Sequence, residues 1–277
     1  MKLPIGPLPG IHNRRPFFLP LLAGLVLLTH GLQAQEKTKK ALPLPGDSFL
    51  IGKHEAFVIA PPAADPKLPV PWVWYAPTLP GLPGTAEKWM FEQFLAAGIA
   101  IAGIDAGESY GSPRGNAVFT SLYRELTEKR GFAKKPVFLG RSRGGLMALS
   151  WAAENAGSVG GFAGIYPVCD LASYPGISKA CGAFDLTADA LQSRLKEFNP
   201  VERLESIAKA GVPLFAIHGD SDRLVPLDAN SGEVQKRYLK LGGAMQLIVP
   251  KNQGHNMWQG FFQCGELVAF IKANARP

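Results

Sequence analysis

The sequence predicts an α/β fold: a mostly parallel central sheet with helices on both faces. Three observations carry this expectation. Short runs that are apolar throughout recur along the chain, segments of helical periodicity separate them, and one stretch, residues 170–198, breaks the alternation. Strands buried on both faces read as unbroken apolar runs, and parallel neighbours need a crossover, usually a helix.

The elements follow in order. Phe57-Val58-Ile59-Ala60 and Val73-Trp74-Tyr75-Ala76 read as strands. The strands before Trp72 lack an intervening helix and are expected to form an antiparallel edge. A Pro/Gly segment, Pro77 to Gly84, precedes a helical pattern marked by Trp89, Met90, Phe94 and Leu95. Ile99 to Ile104 is a buried strand ending in Asp105, and Phe119, Leu122, Tyr123 and Leu126 mark a helical face. Val137-Phe138-Leu139 is a strand and Leu146 to Ala153 a helix. Phe162 to Val168 and Val212 to Ile217 are strands; Val234, Tyr238 and Leu241 share a helical face. Met245 to Val249 is the last strand, and a final helix carries Phe261, Phe262, Leu267, Phe270 and Ile271. Residues 170–198 are expected to form a cap or long loop over the carboxyl edge of the sheet, where ligands bind in open α/β folds.

Composition sets the class. Of 277 residues, 47% are hydrophobic and 18% charged, which suits one domain with a sizeable core and excludes wholesale disorder. Residues 1–34 read as a secretory signal peptide. Lys2, Arg14 and Arg15 give a positive start, an apolar run spans Phe17 to Leu28, and Gly31-Leu32-Gln33-Ala34 offers a small residue before a cut ahead of Gln35. The run falls short of the roughly 20 residues a spanning helix needs; an uncleaved membrane anchor is the alternative. Cleavage removes three cations, so the formal charge falls from +7 to +4 on 243 residues. That surplus is modest and scattered, so it calls for no nucleic-acid partner, and the mature form is expected to be secreted or periplasmic with no membrane association. Residues 35–48, polar and then Pro-rich, read as a flexible tail ahead of a domain over 49–277.

Export would place Cys169, Cys181 and Cys264 in an oxidising compartment. A Cys169–Cys181 bridge would staple the excursion between them and leave Cys264 as a buried small hydrophobe. No Cys/His cluster has zinc-site spacing, and neither a metal nor an organic cofactor is expected.

Three motifs carry chemistry. Gly140-Arg141-Ser142-Arg143-Gly144 lies between an apolar strand and a Gly/Ala-rich helix, so Ser142 would stand exposed on a tight strand-to-helix turn. His218-Gly219-Asp220-Ser221-Asp222 follows the strand ending at Ile217. Asp222 is the chosen acid and Asp220 its rival, a turn residue on the bland reading; His218 reads as structural. Gly254-His255-Asn256 follows the last strand and offers His255 as base. The order Ser142, Asp222, His255 is the chain order of a hydrolase triad on an α/β sheet.

With these motifs, the chain from Phe49 onward resembles the α/β-hydrolases of the prolyl-oligopeptidase-like and carbohydrate-esterase-like branch, which share the elbow, an HG-x-x-D-x-x-V-P segment and a late GH. The resemblance implies a serine hydrolase that needs no cofactor. The His-Gly-Gly oxyanion loop common in that branch is absent; Pro77-Thr78-Leu79-Pro80-Gly81 stands in its place. One oxyanion N–H is expected from Arg143 and the other from Thr78 or Leu79. The Gly-Arg-Ser-Arg-Gly-Gly run also resembles the elbow of glucuronoyl esterases, in which the arginine after the serine aids the oxyanion. Arg143 can do that, hold a substrate carboxylate, or brace the elbow; for Arg141 bracing on an acid such as Asp105 or Glu108 is preferred. Glu108, Ser109, Tyr110 and Trp258 are candidate substrate contacts, with a self-satisfied turn and a helix seal as their bland readings.

The expected activity is ester hydrolysis on a small-molecule or oligosaccharide substrate, of O-acetyl type on carbohydrate. The alternatives are a prolyl-oligopeptidase-like peptidase, for which the mature length leaves little room for a large extra domain, and a non-catalytic binding protein on the same scaffold.

Overall fold

Residues 40–62 and 67–277, with Met1 and Gly6, are described in this computed structural model; the rest of the expected signal peptide and residues 35–39 of the expected tail lie outside the described residues. Apolar segments form one eight-stranded sheet: β1 (Asp47–Ile51), β2 (His54–Ile59), β3 (Trp72–Ala76), β4 (Ala100–Ile104), β5 (Val137–Arg141), β6 (Gly161–Ile165), β7 (Leu214–Ile217) and β8 (Met245–Ile248), in the order β1-β2-β4-β3-β5-β6-β7-β8. The first two strands pair antiparallel at one edge and every other pairing apart from β2–β4 is parallel, as the missing helix before Trp72 implied.

Alternation along β3 shows how the layers are filled. Trp72, Trp74 and Ala76 point to one face, where they join Phe119 and Leu122; Val73 and Tyr75 point to the other. The longer helices are α1 (Lys88–Ala96), α2 (Pro113–Arg124), α3 (Gly144–Glu154), α4 (Ser231–Lys240) and α5 (Gly265–Asn274). Helices α2, α3 and α4 cover the Trp74 face, while α1 and α5 cover the Tyr75 face. The Trp74 ring is the hub of its layer, stacked on Trp72, Phe119 and Phe138 at centroid distances of 5.0, 5.2 and 4.8 Å. Such aromatic contacts add about 0.5–1.5 kcal/mol each to simple burial.

Three expectations need correction. The tail is already packed from Lys40: Leu42 and Leu44 lie against the Tyr75-side core, and Lys40 Nζ donates to the Leu79 carbonyl at 3.0 Å. The final helix is two, because the turn Gln259–Phe262 ends before Cys264, whose Sγ accepts from Leu267 N–H and caps α5. The Cys169–Cys181 bridge is absent: all three cysteines are free, with Cys169 buried behind β6 against the Pro167 carbonyl and Cys181 turned to the Ser178 carbonyl of its own helical turn.

Residues 170–198 form a cap of short helical turns, Ile177–Ala180, Cys181–Phe184, Ala188–Ser193 and Leu195–Phe198. They have their own apolar cluster, in which Leu171, Ala180, Phe184 and Leu191 close over Leu146, Val168 and Val225.

Candidate active site

The site sits where the sheet's carboxyl ends meet three loops. Strand β5 runs into α3 through Ser142, which takes φ +51°, the left-handed region that a non-glycine residue enters only under constraint. The surrounding hydrogen bonds supply the constraint: Ser142 N–H donates to Ile165, and the Ser142 carbonyl accepts from Gly145 and Val168. Gly144 is required here, because a Cβ would meet the Ala76 carbonyl oxygen 2.0 Å away.

The structure brings the three expected residues into one chain of hydrogen bonds. Ser142 Oγ lies 2.9 Å from His255 Nε2, and His255 Nδ1 lies 2.7 Å from Asp222 Oδ2. With Nδ1–H donating to the carboxylate, Nε2 is left to accept the serine proton. Asp222 Oδ1 accepts from the N–H groups of Leu224 and Val225 at 3.0 and 2.8 Å. Burial alone would raise its pKa; hydrogen bonds from His218, Val225 and His255 outweigh that and hold it at about 2. Burial lowers the His255 pKa, and its bond to Asp222 offsets only part of this.

The neighbouring choices separate cleanly. Asp220 is exposed and accepts from Asn252 N–H and Ser221 Oγ, which makes it a turn residue. His218 is fully buried between the Ser231 hydroxyl and the Val225 carbonyl, 3.4 Å from Asp222, so it backs the carboxylate from behind.

Arg141 braces the elbow through an acid the sequence did not suggest. Instead of Asp105 or Glu108, its Nη1 donates to Glu87 Oε1 at 2.7 Å. Glu87 is fully buried and also accepts from Tyr75 Oη at 2.9 Å and Gly84 N–H at 2.9 Å. Burial opposes the charge on Arg141, but the Tyr75 and Glu87 oxygens more than compensate and raise its pKa; burial and the Glu87 carboxylate raise that of Tyr75. Asp105 instead accepts from Gly107 N–H within its own turn. Arg143 Nε stands 3.0 Å from Glu108 Oε2, close enough to pair, although the N–H is not aimed at that oxygen and makes no hydrogen bond.

A cavity of about 360 Å³ opens onto Ser142 and His255; its wall includes Pro77, Arg141, Arg143, Tyr166, Tyr174 and Met257. The expected substrate contacts do not line it. Glu108 and Ser109 border a separate hollow beside α2, and the Ser109 hydroxyl is tucked against Gly115. Tyr110 packs on the cap cluster, and the Trp258 ring lies on Gly260 with its edge to Phe261. In their place stand residues that sequence reasoning missed. Tyr166, at φ +35° just after β6, lays its ring 4.3 Å from that of His255. Tyr174 comes from the cap, Leu224 from the Asp222 loop and Met257 from the His255 loop. Leu224 lies inside the HG-x-x-D-x-x-V-P segment and Met257 directly follows Gly254-His255-Asn256, which is the signal that could have found them.

For the oxyanion, Pro77 reaches the cavity but has no N–H. Thr78 and Leu79 are buried; the Thr78 hydroxyl bonds back to the Tyr75 carbonyl, and the Leu79 carbonyl accepts from Leu82 N–H as well as Lys40. Among the described residues the N–H groups of Thr78, Leu79 and Arg143 have no acceptor.

The fold is that of the α/β hydrolases. No protein-family model and no curated protein sequence matches the chain, but solved structures do. Est1E from Butyrivibrio proteoclasticus is similar at 16% identity and TM-score 0.60 over 83% of this chain and 98% of that one. An S-formylglutathione hydrolase from Agrobacterium tumefaciens is similar at 14% identity and TM-score 0.63, over 83% and 96%. Porphyromonas gingivalis dipeptidyl peptidase 4 gives 14% identity and TM-score 0.68 over 83% of this chain, which spans only 35% of the peptidase. At these identities the likeness establishes the fold.

Proposed function

We propose that this chain is an exported serine esterase that removes acyl groups, of O-acetyl type, from carbohydrate. The observation that carries the hydrolase reading is the continuous Ser142–His255–Asp222 hydrogen-bond chain at the mouth of a cavity. His255 takes the Ser142 proton as the hydroxyl oxygen attacks the ester carbonyl. Asp222 holds the imidazole tautomer and stabilises its charged form. The Arg143 N–H and, on the facing loop, the Thr78 or Leu79 N–H receive the oxyanion; each such donor is typically worth about 10²–10³ in rate. The alcohol leaves with the proton from His255, and water then hydrolyses the acyl-enzyme by the same steps.

The ester preference is supported by the likeness to an S-formylglutathione hydrolase, which extends over 83% of this chain and 96% of that one. The likeness to dipeptidyl peptidase 4 favours peptide cleavage as the second reading. Hydrolysis of p-nitrophenyl acetate and butyrate and of Gly-Pro-p-nitroanilide, by the protein and by Ser142→Ala, separates them. The expected result is acetate hydrolysis that is lost in the variant. Anilide cleavage without ester turnover would establish the peptidase, and no labelling of Ser142 by a fluorophosphonate would end both readings.

A further inference from the structure

A second hollow, of about 470 Å³, lies beside the Ser142 cavity and is not used by the chemistry above. The two share a wall. Met257 lines both, and the Arg141 guanidinium, which faces the Ser142 cavity, lies 5.0 Å over the ring of Phe262, which lines the second. Glu87, the acid that fixes Arg141, belongs to the same turn as Thr85 and Ala86 on the hollow's rim.

The lining has a definite chemical character. Trp89, Met257 and Phe262 provide an aromatic and thioether surface. Around it stand Thr85, Gln259 and Gln263, three uncharged hydrogen-bonding side chains that engage no partner among the described residues. The charges present, Lys88 and Glu92, face each other at 3.9 Å and cancel. With no net charge, the lining favours neither a carboxylate or phosphate nor an ammonium. It suits a ring with an apolar C–H face to lay on an aromatic and hydroxyls around its edge for amides to bond.

We infer that this hollow is a subsite for a neutral pyranoside of the substrate, holding the sugar next to the one that bears the scissile ester. The inference rests on the esterase reading and extends it by placing the alcohol portion of the substrate on the Thr85–Trp89 and Met257–Gln263 side of the nucleophile. The contacts are remote from the reacting carbonyl, so they act on glycan substrates and leave small esters alone.

The test compares kcat and KM on partially acetylated xylo-, manno- and cello-oligosaccharides with those on p-nitrophenyl acetate. Trp89→Ala should lower kcat/KM on the oligosaccharides about 10-fold, and Gln259→Ala or Gln263→Ala about 3-fold, mainly through KM. All three should leave p-nitrophenyl acetate turnover within about 2-fold of the parent. Trp89 also packs against the core, so its variant can fail to fold; the exposed Gln259 and Gln263 carry the test in that event. Unchanged oligosaccharide kinetics in both glutamine variants, or no preference for any oligosaccharide over p-nitrophenyl acetate, overturns the subsite while leaving the esterase intact. Absence of Ser142-dependent hydrolysis of every ester removes the esterase reading and the subsite with it.

Discussion

At the scale of single residues, protonation decides when this site can work. In the proposed mechanism His255 must be neutral to accept the Ser142 proton, and burial lowers its pKa from the ordinary value near 6.5. Asp222, at about 2, stays ionised across the working range, so an acid limb in the rate profile belongs to His255. Lowering an imidazole pKa extends its neutral form towards acid, so kcat/KM for p-nitrophenyl acetate should hold at neutral pH and fall only below the ordinary imidazole value. A limb centred above about 7 would contradict this sign. Asp222→Asn, which leaves the contact in place but removes the charge that fixes the tautomer, should lower kcat on the order of 10⁴-fold. The three residues of this chain were legible in the sequence because each follows an apolar strand, and strand ends in a parallel sheet converge at one edge. Substrate contacts were not, because side-chain direction there is set by tertiary packing. Trp258 is drawn onto Gly260, Tyr110 onto the cap, and Tyr166 reaches the imidazole only because the chain turns left-handed after β6.

At the scale of elements, the elbow is held from below by charge. Arg141 ends β5 and Glu87 ends the turn Thr85–Glu87 that opens α1, 54 residues earlier, so the pair ties the strand before Ser142 to the loop after β3. Nothing in Thr85-Ala86-Glu87-Lys88 marks Glu87 as buried; a carboxylate there reads as the solvated first turn of a helix, and only the distant arginine makes its burial tolerable. The strands themselves were legible for the opposite reason, since an apolar run needs no distant partner to declare itself. Breaking a buried pair leaves one charge stranded, at a cost of about 3–5 kcal/mol. Glu87→Ala and Arg141→Met should each lower stability by roughly that amount, and the double variant should lose much less than their sum. Urea unfolding of the four proteins measures the coupling, and strictly additive losses would show that Arg141 and Glu87 act separately. Kinetics on the folded variants should show kcat falling with the brace, because Arg141 precedes Ser142 directly.

At the scale of the whole molecule, the sheet and the cap are stabilised by different cores. The sheet's two apolar layers run through the aromatic hub at Trp74 and through the α1 and α5 side, whereas the cap closes on its own small cluster. Its apolar ties to the rest of the molecule run through Leu146, Val168, Val225 and Tyr110, and Asn230 bonds the start of the cap at Asp170 and Ser173; the exposed pair Arg114–Asp185 at 3.1 Å adds little. The break in alternation announced a cap, but not whether a disulfide or an apolar cluster would hold it, since a cysteine just before it and another within it are compatible with either. The cluster implies a cap that can loosen while the sheet stays folded. Leu191 is fully buried in the cap and far in sequence from the triad, so Leu191→Ala tests this directly. The cavity it leaves should cost about 2–5 kcal/mol locally. Amide exchange should quicken across residues 170–198 and stay slow in β3 and β5. Because Tyr174 of the cap lines the Ser142 cavity, KM for p-nitrophenyl butyrate should rise several-fold with kcat much less affected. Uniformly faster exchange through sheet and cap together would mean a single cooperative unit, and the cap would then be a fixed wall of the site.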